Sequence, residues 1–104
     1  MNGLWKIGDP RAIPAIRTAL QDPSPQVIGE AINSLRGFND RESIPRFIES
    51  LSHPDPGVRY QAAMALARLP DPRALPALKE HLKDSDMHVR MTALSAIESL
   101  GSVD

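Results

Sequence analysis

The chain has 104 residues, a formal net charge of −1, no cysteine and only 4% aromatic residues. Without cysteine there can be no disulfide framework, thiolate metal site, iron–sulfur cluster or thiol nucleophile. The near-neutral charge supplies no global field for nucleic acid or an anionic membrane, and no apolar run approaches membrane-spanning length.

The opening "MNGLWKIGDP" lacks the basic and apolar regions of a signal peptide, so cytoplasmic residence is the default expectation. Leu4 and Ile7 stand thirty-one residues before Leu35 and Phe38, which predicts residues 3–7 as the tail of a helix whose beginning is missing. The stretch "GDPRAIPAI" at 8–16 returns as "PDPRALPAL" at 70–78, and "NDRESIPRF" at 39–47 is a degraded third copy. One offset of thirty-one therefore aligns 8–38, 39–69 and 70–100 without a gap. It stacks Asp9, Asp40 and Asp71; Pro14, Pro45 and Pro76; Leu20, Leu51 and Leu82; Val27, Val58 and Val89; and Ala31, Ala62 and Ala93. The expectation is one repeat domain over 1–104, with 101–104 as a tail.

Each repeat predicts two helices. In the first repeat Ile13, Ile16 and Leu20 follow helical spacing, with Arg17 intruding where the second repeat has Ile48. After a polar, proline-rich break, Val27, Ala31, Leu35 and Phe38 mark one face of a second helix. Ser24-Pro25 and Asp55-Pro56 are cap-plus-proline starts, and Asp86 repeats the cap without the proline. Pro14, Pro45 and Pro76 suggest a tight turn over Asp-Pro-Arg-Ala followed by the helix proper, with a kinked single helix as the alternative. Gly29 and Gly37 fall inside the second helix of the first repeat, where Gly29 serves either close helix approach or flexibility. No segment alternates with period two, so the fold class is all-α.

The phrase Gly-Asp-Pro-Arg-Ala-Ile-Pro-Ala-Ile, followed by Leu20, Asp22-Pro23 and Val27, resembles the HEAT-like repeat named after phycobilisome lyases. The resemblance covers 8–100 and implies an α-solenoid of three helix pairs, first helices convex and second helices concave. It also implies a ladder of hydrogen bonds between an Asp ending the first helix and an Arg after the Val of the second. Here those positions are Asp22 and Asp84, Arg59 and Arg90, broken at His53 and Ile28, with Asp22 to Arg59 the expected bridge between units.

Chemistry-bearing patterns are sparse. His53, His81 and His88 include no pair at i, i+4 on one face, so no metal ligand set is expected and the histidines read as capping or exposed. No nucleophile signature, phosphate-cradling glycine loop or cofactor site is visible, which makes an enzyme the less favoured reading. Nine arginines against three lysines are interleaved with Asp and Glu, so nucleic acid is not the expected partner.

On a helical wheel the direction opposite the Val27, Ala31 and Leu35 stripe holds Gly29, Asn33 and Arg36, then Tyr60, Met64 and Ala67, then Met91, Ser95 and Glu98. On a concave second-helix layer, Tyr60, Met64 and Met91 form an apolar patch bordered by Asn33, Arg36 and Glu98, unless Tyr60 and Met64 merely pack between helices. Trp5 lies in register with Arg36 and joins the candidate protein-binding residues. The expected function is a protein–protein interaction module or scaffold, acting through the groove or the solenoid ends. The alternative is a non-catalytic repeat component of an enzyme system such as a bilin lyase-like subunit, which visible absorbance of the purified protein would mark. Both ends read as uncapped, so the expectation is either a segment of a longer solenoid or self-association through an end face, the latter preferably as a symmetric dimer.

Overall fold

The computed structural model describes residues 9–101, and every regular element among them is helical. Six α-helices follow in order: α1 (Ile13–Ala19), α2 (Pro25–Gly37), α3 (Ile44–Ser50), α4 (Pro56–Arg68), α5 (Leu75–Glu80) and α6 (Met87–Gly101). Single 3-10 turns at Pro10–Ala12, Arg41–Ser43 and Pro72–Ala74 lead into α1, α3 and α5, and a fourth at His81–Lys83 closes α5. The inner prolines Pro14, Pro45 and Pro76 sit in the first turn of their helices. An N–H there has no intrahelical partner to lose, so proline ends the 3-10 turn and starts the α-helix without a kink. Of the two readings of this phrase, the tight turn is the one that forms.

The second helices begin on side-chain caps. Ser24 Oγ accepts from the Val27 N–H at 3.4 Å. Asp55 Oδ1 accepts from Gly57 and Val58 at 2.7 and 3.4 Å, and Asp86 Oδ1 from His88 and Val89 at 2.8 and 3.2 Å. Each cap satisfies donors the helix cannot, at about 1 kcal/mol apiece.

Helices α1 and α2, α3 and α4, and α5 and α6 form antiparallel-type pairs, and α4 packs between α2 and α6. The first helices touch one another far less than the second helices do, so α2, α4 and α6 form the closely packed inner layer of the stack. Between the layers lies a continuous apolar core in which Ile16, Leu35, Ile44, Phe47, Leu51 and Val58 are fully buried. A side chain such as Phe47 contributes about 2–3 kcal/mol by leaving water.

Helix α2 ends on a left-handed residue that is not one of its glycines. Asn39 has φ 55°, its N–H donates to Arg36 O, and the Asp40 N–H donates to Leu35 O, both at 3.0 Å. This is a Schellman ending with asparagine in the position glycine usually takes. Close helix approach does not explain Gly29, because a Cβ there would meet Gln61 Cγ at 3.7 Å, an ordinary contact. The predicted helix tail at residues 3–7 and Trp5 lie outside the described residues.

Candidate functional site

The polar chemistry of the molecule is concentrated where one helix pair meets the next. Arg59, in the first turn of α4, donates from Nε to Asp84 Oδ2 at 2.9 Å and from Nη2 to Asp84 Oδ1 at 3.0 Å. Its Nη1 donates to the carbonyls of His53 and Pro54, each at 2.9 Å. Asp84 Oδ1 accepts further from the Asp86 N–H at 2.9 Å, and His81 Nδ1 stands 2.8 Å from Oδ2. Burial pushes the Asp84 carboxyl up, but the Arg59 bonds, the Asp86 N–H and the His81 ring outweigh it and bring it down to about 2.

The bridge expected from Asp22 to Arg59 is therefore not the one formed. The two loop carbonyls fix the Arg59 guanidinium so that its remaining edge faces forward, toward the following unit. Asp22 instead accepts the Ser24 N–H at 2.8 Å.

That direction explains both departures from the ladder at once. Ile28 occupies the Arg59 position one repeat earlier, and His53 occupies the Asp84 position, so the two substitutions remove the two halves of a single bridge. Ile28 is buried among the core side chains. His53 Nδ1 accepts the Asp55 N–H at 3.0 Å, taking over the loop-holding role that a carboxylate has in Asp22 and Asp84.

A different arginine ties this first junction. Arg17, the intruder in the apolar column of α1, donates from Nε and Nη2 to Asp40 at 2.8 and 2.6 Å and reaches Glu42 at 2.9 Å. Asp40 is buried and also accepts from Ser43 Oγ at 2.6 Å. The Arg17 guanidinium holds the Asp40 carboxyl below its ordinary value against the effect of burial. At the second junction Ile48 fills the Arg17 position, and Asp71 turns to Arg73 of its own 3-10 turn. Each junction thus carries one bidentate Arg–Asp bridge, placed differently.

On the inner layer, Arg36 donates from Nη1 to Met64 Sδ at 3.7 Å and from Nη2 to Asn33 Oδ1, which brings these three residues together. Tyr60 and Met64 are half-buried, and Met91 is 62% exposed. Tyr60 meets His88 edge to face, with ring centroids 6.1 Å apart at 67°. The sequence reads His88 only as a capping or exposed histidine and does not place it on the inner face. The helical wheel hid it, because it sits one residue before Val89 and reaches the Tyr60 ring from the neighbouring helix. Glu98 is exposed on α6. Arg90 repeats half of the Arg59 geometry, with Nη1 donating to the carbonyls of Asp84 and Ser85 at 2.8 and 3.4 Å.

Among the described residues no group of three or more His, Cys, Asp or Glu side chains is placed to hold a metal ion. No helix among them is long and apolar enough to cross a membrane. The family model for HEAT repeats matches the chain over residues 1–52 and 44–104. No curated protein matches it.

Proposed function

The chain belongs to the HEAT-repeat family, and on that premise we propose that it is a scaffold that binds a partner protein on the inner face of α2, α4 and α6. The observation that carries this reading is the exposure of Met91 at 62% in line with half-buried Tyr60 and Met64. Methionine and tyrosine favour interface centres, since both offer large contact area at modest ordering cost. Asn33, Arg36 and Glu98 supply the polar border, and Arg36 is held toward Met64 by its own hydrogen bonds. His88 extends the patch by its edge contact with Tyr60.

The test is a variant carrying Tyr60→Ser, Met64→Gln and Met91→Gln, compared with the wild type in capture of binding proteins from the source cell. Loss of captured proteins with unchanged circular dichroism supports the inner face as the binding surface. Undiminished capture by a folded variant overturns it, and loss of helicity reassigns the three residues to packing.

A further inference from the structure

The outer side of the α5 and α6 pair breaks the burial pattern that the repeat sets elsewhere. Leu20 and Leu51, just past α1 and α3, are 9% and 0% exposed, whereas Leu82 in the same register is 38% exposed. Ile32 on α2 and Ala63 on α4 are fully buried, whereas Leu94 on α6 is 49% exposed. In the earlier repeats these positions belong to the core between helices. At α6 the same interface is presented to solvent.

The polar part of that interface is presented too. Arg90 anchors its Nη1 on two loop carbonyls as Arg59 does, but the Nε and Nη2 edge that Arg59 gives to Asp84 meets no acceptor among the described residues. The matching half stands at the opposite end. Asp22 accepts one backbone N–H from Ser24, as Asp84 does from Asp86, and meets no cation among the described residues. Around it Ala12 and Val27 are only half-buried, where their counterparts Ser43, Ala74, Val58 and Val89 are buried.

We propose that the α6 face of one copy docks onto the α1 and α2 face of a second copy, with Arg90 bidentate to Asp22 in the geometry of Arg59 on Asp84. Leu82 and Leu94 supply the apolar contact. Asp22 stands in the register of Asp84 and holds the same backbone bond, which makes it the carboxylate that the repeat geometry matches to Arg90, so the complementary arrangement is head to tail. Such a contact continues the solenoid from copy to copy and does not close on itself.

Sedimentation velocity of the full chain, from about 1 μM to on the order of 100 μM, is the first test. The expected result is an average sedimentation coefficient that rises with concentration and does not level off at a dimer. Arg90→Asp and Asp22→Arg are each expected to weaken self-association by about tenfold or more. Their equimolar mixture is expected to recover it, since every contact in an alternating assembly is then oppositely charged. Leu94→Lys, which touches neither the loop nor a cap, is expected to weaken association without loss of helicity. A wild-type chain that stays monomeric throughout overturns the proposal. So does association that survives Asp22→Arg, the outcome a symmetric dimer predicts, or a mixture of the two folded charge variants that fails to associate.

Discussion

Arg59 and Arg90 share their local contacts and differ in one partner, which makes them a matched pair for measurement. Each Nη1 donates to two carbonyls of the loop before its helix. Only Arg59 also grips a carboxylate, whose side chain is 4% exposed. Alanine at 90 removes bonds to two carbonyls near solvent. Alanine at 59 removes the equivalent bonds and the bidentate pair, and leaves Asp84 with the Asp86 N–H and His81. Charge-assisted bonds to a covered carboxylate contribute about 1.5–3 kcal/mol. The lowered Asp84 carboxyl points to the same scale. A folded value of about 2 against the ordinary 3.8 corresponds to roughly 2.5 kcal/mol net of the opposing effect of burial, and nearby solvent screens it to ~1–2 kcal/mol.

Arg59→Ala is therefore expected to lose about 2 kcal/mol more than Arg90→Ala. Arg46→Ala serves as the surface control, because Glu49 stands 3.7 Å away and both side chains are more than half exposed. It should remain within about 0.5 kcal/mol of wild type. Urea unfolding at low micromolar protein and neutral pH reads these differences as midpoints, with the two arginine variants separated by about 1 M at an unchanged slope. Because the folded carboxyl titrates below the unfolded one, this stabilisation is present in full above the unfolded value of 3.8 and disappears as pH falls toward 2. The gap between the variants should narrow over that window. Coincident midpoints at neutral pH would refute the assignment of the bridge.

Asn39→Val should cost about 1–2 kcal/mol, because a β-branched residue is strained at φ 55°, while Asn39→Gly relieves the backbone and forfeits only the bond from Arg68. Equal melting temperatures for the two variants would show that the left-handed ending does not matter. Ile28→Arg and His53→Asp should each destabilise singly, one by placing a charge in the core and the other by adding an unpaired carboxylate. Combined, they should recover roughly 1–2 kcal/mol relative to the sum of the single losses, and strict additivity would disprove that these positions form one bridge.

The helices were legible in the sequence because their signals are local. Apolar spacing in Val27, Ala31 and Leu35, and a cap followed by proline at Ser24 and Asp55, act within one or two turns. The family resemblance likewise implied that Arg59 and Asp84 belong to a ladder, but a position in a repeat does not say whether an arginine reaches forward or back. That choice depends on the two loop carbonyls that orient its guanidinium. A signal was available: only the forward pairing puts Ile28 and His53 opposite each other. Arg17 was visible as an intruder among apolar residues, yet its partner Asp40 looked like another turn residue of the repeated phrase. What sets Asp40 apart is Glu42 two residues on, where Arg11 and Arg73 pair with Asp9 and Asp71, so the Asp40 carboxylate is left for Arg17. The inner-face residues follow from helical phase, but the contact of His88 with Tyr60 depends on how α4 and α6 are rotated against each other.

The two bridges sit in different layers of the stack. Arg17 and Asp40 fasten α1 to the approach of α3, whereas Arg59 and Asp84 fasten the base of α4 to the loop before α6. Mechanically, the molecule is a slab of 37 × 29 × 17 Å with two joints whose rivets are set at unlike points. A bending load should therefore turn the first joint about the outer helices and the second about the loop edge. Pulled or twisted, the stack should yield about two separate axes, so each end should tilt toward a bound surface by its own path.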